Sequence, residues 1–229
     1  MWCLNTLNRK VSEVARRSQQ VTKRVRKQIT MLLYMAGDND LSDAGLNDIQ
    51  ELCDEGAGPD LYVAAEIDTH GDHTGSIRYE ITENEKDEKG RSRAYRKVIE
   101  RLPEQDTGKP ATLLKFLQWG IRRYPAKRFV VVIGGHGDGF RRRGRAIAVD
   151  DFGSSLDMPE IEYVLRRAKF DKYRIGILGF DACLMGMLEI AHHFSPFAEY
   201  LVGSQAVEPG EGWPYDKVLK HLKLSLIHI

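Results

Sequence analysis

The chain has 229 residues and a formal net charge of +1, with 42% hydrophobic and 29% charged residues, proportions that fit one globular domain with a sizeable core. No apolar run reaches the roughly 18 to 20 residues of a membrane span. Three cysteines, Cys3, Cys53 and Cys183, form no CxxC pair, which argues against a disulfide framework or a structural zinc site.

The small net charge hides an asymmetry. Residues 1–28 are rich in Lys and Arg against a single acid, Glu13, so the remainder is net acidic. This stretch reads as a solvated, partly helical basic extension. It has no apolar h-region and is not read as a secretory signal. At the other end, LSLIHI (224–229) is what a sequencing-adapter read would encode. It is set aside as a non-native tail, and the natural chain is expected to continue past Lys223. The folded domain is expected over residues 29–223.

The first strand is expected at 29–37, ITMLLYMAG, a continuous apolar run suited to a strand covered on both faces. In DNDLSDAGLNDIQEL, cap residues precede Leu46, Ile49 and Leu52 at helical spacing. LYVAAEID is a second strand, and 76–98 reads as a hairpin at a sheet edge, its charged turn tipped by Gly90. A helix over 111–124 stops before Pro125. RFVVVIGGHGDG is a buried strand running into glycines, AIAVDD a short strand, and SLDMPEIEYVLRRA a helix with Asp157 as N-cap. YRIGILGFDAC gives a strand, LMGMLEIAHHF a helix beginning near Leu184, and AEYLVGSQAVEPGEGW a strand and loop. The repeated βα order predicts an α/β fold, a mostly parallel sheet with helices on both faces.

Ligands of such sheets gather at the carboxyl ends of the strands. His136 and Cys183 each lie just past one. A thiol attacks only as thiolate, and a helix starting after Cys183 would favour that charge. An imidazole nearby would stabilise it further and protonate a leaving amine. In GGHGDG, the absence of Cβ at Gly135 and Gly137 permits close backbone approach. The amides of Gly137 and Cys183 would together form a two-donor oxyanion hole.

LLYMAGDNDL, VVVIGGHGDG, GFDACLMGMLEIA and GSQAVEPGEGWPY, in this order and spacing, resemble the clostripain family of cysteine peptidases, within the caspase, gingipain and legumain clan. The resemblance runs from about Thr30 to His221. It implies a caspase-like three-layer sandwich and a His-Cys dyad, with His136 as general acid/base and Cys183 as nucleophile. It also implies an endopeptidase cutting after Arg or Lys in peptide or protein substrates. Asp181, two residues before the nucleophile, would face the S1 pocket, lined further by Ser204, Gln205 and Glu208. A carboxylate there is apt for a guanidinium or ammonium group. Asp181 could equally cap the helix expected after it.

Relatives are cleaved between the His and Cys strands, and RRRGR offers Arg141, Arg142, Arg143 and Arg145 for self-processing, with Lys169, Lys172 and Arg174 as lesser sites. No cofactor is expected, although Asp38, Asp40, Asp68, Asp150 and Asp151 admit a calcium or magnesium reading without EF-hand spacing. His70, His73, His192 and His193 read as surface residues. No nucleic-acid partner is expected. The alternatives are a caspase-like binding module without catalysis, a truncated fragment, and a nucleotide-binding domain using GGHGDGF, which lacks GxGxxG and a Walker lysine.

Overall fold

Strand β1 (Lys27–Gly37) is the axis around which the domain is built. The computed structural model describes residues 24–70, 75–86, 92–140, 147–170 and 174–227. The other strands are β2 (Leu61–Thr69), β3 (Ile77–Ile81), β4 (Glu85–Lys86), β5 (Ser92–Arg93), β6 (Arg96–Arg101), β7 (Ala126–Gly134), β8 (Arg174–Asp181) and β9 (Ala198–Gly203). The helices are α1 (Ser42–Glu55), α2 (Pro110–Arg123), α3 (Met158–Arg167), α4 (Leu188–Phe194) and α5 (Tyr215–Ile227). Seven strands form one sheet in the order β6-β3-β2-β1-β7-β8-β9, and β4 pairs with β5 alone. The pairs joining β2, β1, β7, β8 and β9 are parallel; β3 and β6 run antiparallel at one edge.

Side chains alternate between the faces of β1, and both faces are covered. Met31, Leu33 and Met35 pack with α1 and α5, whereas Leu32, Tyr34 and Ala36 pack with α2, α3 and α4. Double coverage explains why the strand sequence is continuously apolar rather than alternating. Tyr34, Phe116, Phe129 and Phe180 are fully buried, each contributing about 1.5–3 kcal/mol of burial free energy.

Caps fix the helices in place. At α3, the Asp157 carboxylate accepts from the Glu160 amide at 2.8 Å and the Glu160 carboxylate accepts from the Asp157 amide at 3.0 Å, a reciprocal capping box. At α5, the Tyr215 amide donates to Glu51 of α1 at 2.7 Å, which ties together the two helices covering one face. At the other end of the chain, Arg24 donates to Glu80 through two nitrogens at 2.5 and 2.8 Å and lies over the Tyr124 ring. The last residues of the basic stretch therefore pack onto the domain.

Two local expectations are corrected. AIAVDD is not a strand: Ile147 makes isolated bridges to Gly137 and Leu156, and Ala148 turns to φ +57°, which breaks an extended run. The helix expected near Leu184 begins only at Leu188. Leu184 has φ +63°. The Leu184 and Gly186 amides donate to Ala206 and Ser204 carbonyls at 3.0 and 2.7 Å, so residues 184–186 are spent on a neighbouring loop. Asp181 therefore caps no helix, and α4 starts too far on to act on Cys183. No helix among the described residues is long and apolar enough to cross a membrane.

Candidate active site

The adjacent tips of β7 and β8 carry the two predicted groups. Gly134 is in register with Asp181, and the Gly135 amide donates to the Asp181 carbonyl at 3.2 Å. The chain then turns sharply, with Gly135 at φ +137°, a conformation suited to glycine. Gly137 lies so close to Cys183 that an added Cβ would strike the Cys183 carbonyl oxygen and stand 3.1 Å from its amide nitrogen. His136 and Cys183, 47 positions apart in sequence, line one cavity of about 300 Å³.

Both groups have other partners. His136 Nε2 is 2.6 Å from Asp40 Oδ1, and this bond holds the Asp40 carboxyl below its usual range. Cys183 Sγ accepts from the Glu208 amide at 3.3 Å and lies 4.0 Å from the Glu208 carbonyl oxygen. Cys183 is partly exposed, whereas Cys53 is buried on α1 and its thiol is pushed up by burial. The amides of Gly137 and Cys183 donate to no other described residue, which leaves both available to an oxyanion.

The cavity lining includes acidic residues. Asp181 accepts from the Tyr215 hydroxyl at 2.8 Å and the Trp213 amide at 3.3 Å. Burial nevertheless raises its carboxyl, against the pull of those donors. Glu208 accepts from the Trp213 indole at 3.2 Å. Burial, reinforced by the charge of Asp181, pushes Glu208 up to about 7. No N–H or O–H of a described residue reaches Glu208 Oε2, and the Asp181 and Glu208 carboxyls influence each other's ionisation. Asp48 of α1, missed in the sequence, lines the same cavity.

Ser204 and Gln205 do not line the cavity. Ser204 Oγ accepts from the Ala206 amide at 3.1 Å, a local turn, and Gln205 is exposed. Arg141, Arg142, Arg143 and Arg145 lie outside the described residues, as do Lys172 and His73.

The acidic residues beside the rim are individually engaged. The Asp68 carboxylate accepts from Ser76 Oγ at 2.8 Å. That of Asp150 accepts from the Thr107 amide and hydroxyl at 2.7 Å each. Asp38, His70 and Asp151 present ligand atoms within 4.8 Å of one another and form the set, among the described residues, with cation-binding geometry. The His70 Nδ1 already bridges them, at 3.5 Å from Asp38 and 2.9 Å from Asp151. His192 and His193 lie on α4, and His193 faces Glu162 of α3 at 3.0 Å.

The family model described as "Clostripain family" matches residues 33–226. The chain belongs to the clostripain family. It is 30% identical over 241 residues to clostripain of Hathewaya histolytica, an alignment covering 90% of this chain and 45% of that protein. The chain thus spans less than half the length of this relative. Among solved structures, it is similar to a secreted C11 cysteine protease from Bacteroides thetaiotaomicron in complex with an irreversible peptide inhibitor. The TM-score is 0.71 at 22% identity, over 86% of this chain and 54% of that one. It is also similar to an inactive zymogen C11 protease from Parabacteroides distasonis, with a TM-score of 0.70 at 20% identity, over 86% and 54% of the two chains. These likenesses bear on the fold, which is the caspase-like α/β sandwich implied by the sequence resemblance.

Proposed function

We propose that the chain carries the catalytic centre of a cysteine endopeptidase that cuts peptide and protein chains after Arg or Lys. One observation carries the reading. Cys183 and His136 line a single cavity that Asp181 and Glu208 line as well. In this reading the Cys183 thiolate attacks the scissile carbonyl carbon, and the amides of Gly137 and Cys183 hold the resulting oxyanion. His136 gives its proton to the departing amine as the C–N bond breaks, which leaves a thioester on Cys183. Water then attacks this thioester, His136 takes the water's proton, and the acid product leaves as Sγ recovers its electron pair. No third member of the machinery is required.

The pocket chemistry supports a basic P1 side chain. A guanidinium or ammonium entering beside Asp181 and Glu208 replaces the repulsion between two carboxylates with attraction. Ser204 and Gln205 would act through the loop that reaches Glu208. Self-processing at Arg141, Arg142, Arg143 or Arg145 belongs to the same proposal, since such residues satisfy this pocket. It predicts a change of intact mass on incubation that Cys183→Ala prevents.

Fluorogenic peptides differing only at P1, with Arg, Lys, Asp or Asn, provide the test. Turnover is expected for Arg and Lys alone and is lost in Cys183→Ala. Equal turnover of all four, or unchanged activity in Cys183→Ala, would refute the assignment.

A further inference from the structure

The cavity contains one buried ionisable group that neither the dyad nor the Asp181–Glu208 pair uses. Asp48 sits on α1 between residues that face the core, and is itself only 4% exposed. Its side chain forms no hydrogen bond with any described residue, yet it opens into the cavity that contains His136, Cys183, Asp181 and Glu208. A carboxyl at a core-facing helix position that opens into a cavity is placed to meet a ligand there. Burial, then the charges of Asp181 and Glu51, push it up to about 8, and the buried Tyr215 hydroxyl feels its charge in turn. A carboxyl pushed up in this way takes its charge most readily when a cation comes beside it. The same helix and the Leu41 residue that precedes it add apolar wall through Leu41, Ala44 and Gly45.

We propose that Asp48 is a specificity-determining residue that makes the pocket prefer Arg to Lys at P1. The proposal rests on the reading that the cavity takes a basic P1 side chain. Asp181 enters from a strand tip and Asp48 from a helix, so the two carboxyls approach a ligand from different elements. A guanidinium is planar and carries five N–H donors, enough to engage two separate carboxylates at once. An ammonium is a compact charge that one carboxylate and water can satisfy. When arginine binds, the proton held by Asp48 passes to water, and the carboxylate takes up the far edge of the guanidinium.

The test compares two otherwise identical peptides with P1 Arg or P1 Lys, cleaved by wild type, Asp48→Asn and Asp181→Asn. Asn keeps the shape and removes the charge. Asp48→Asn is expected to lower kcat/KM for the Arg peptide about 10- to 100-fold, the scale of one charged hydrogen bond. The Lys peptide should fall less than about 3-fold, whereas Asp181→Asn lowers both. Calorimetric binding of the same peptides in a Cys183→Ala background should give the same change in the Arg-to-Lys ratio, independently of turnover. An unchanged ratio in Asp48→Asn, with wild type cleaving both peptides, overturns this inference and leaves the proposed function standing. A wild type that binds and cleaves neither overturns both.

Discussion

His136 Nε2 is held 2.6 Å from Asp40 Oδ1. Asp40 is well exposed there, and exposed pairs contribute little, about 0–1 kcal/mol. Asp40 therefore orients the imidazole at rest without being needed for the chemistry. Asp40→Ala is expected to change kcat less than about 5-fold. His136→Ala should lower it by at least about 100-fold. Steady-state kinetics on a P1-Arg peptide decide this, and comparable losses in the two variants would make Asp40 a member of the machinery.

Gly137 is where the His136 loop touches the Cys183 peptide, and a methyl group there meets backbone rather than a yielding side chain. Gly137→Ala should push the two loops apart and cost about 1–3 kcal/mol of stability. Because it displaces the attacking sulfur and an oxyanion donor together, the fall in kcat should exceed about 100-fold. Urea denaturation and single-turnover kinetics measure the two effects separately. A variant with wild-type kcat would mean that this contact does not position the sulfur.

The strand tips were legible because long apolar runs end in GGHGDG and FDAC, and the parallel βα order places such ends on one rim. Asp48 was not legible. Leu46, Ile49 and Leu52 define the apolar stripe of α1 by spacing, so a carboxylate beside them reads as solvent-facing, and only the packed helix places it in the cavity. The start of α4 was misread for a related reason: Leu184, Met185 and Met187 look like helix core, whereas the amides of Leu184 and Gly186 donate to the carbonyls of Ala206 and Ser204 respectively. Asp40 as the partner of His136 depends on a contact 96 positions away in sequence, which spacing cannot reveal.

Tyr215 is fully buried and its hydroxyl is one of two donors to Asp181. Tyr215→Phe keeps the ring and leaves the carboxylate short of a donor, at a cost of about 1–3 kcal/mol in stability. Losing a donor to the charged form raises the Asp181 carboxyl further, so cleavage after Arg should move to higher pH. A kcat/KM profile identical to wild type would contradict the role given to this bond.

The acidic residues lining the cavity also make stability depend on pH. Asp48 and Glu208 are pushed up to about 8 and about 7, whereas unfolded carboxyls titrate near 4. Between about pH 4 and 8 the folded chain therefore binds more protons than the unfolded one, and stability falls as pH rises. Urea midpoints at pH 5, 6.5 and 8 should decrease in that order for wild type. Asp48→Asn should flatten the trend and be more stable at pH 8 by roughly 1–2 kcal/mol, a figure discounted for solvent reaching the cavity. Parallel trends in the two proteins would mean that Asp48 is not a buried acid.

The most direct test of the whole account is covalent. A short peptide with Arg at P1 and an electrophilic ketone in place of the scissile amide is incubated with the protein, and the adduct is mapped by tandem mass spectrometry. The account predicts one adduct, on Cys183, formed much more slowly in His136→Ala and suppressed by excess P1-Arg peptide but not by its P1-Asp counterpart. Labelling on Cys53, or labelling of Cys183 that ignores both His136 and the P1 side chain, would contradict it.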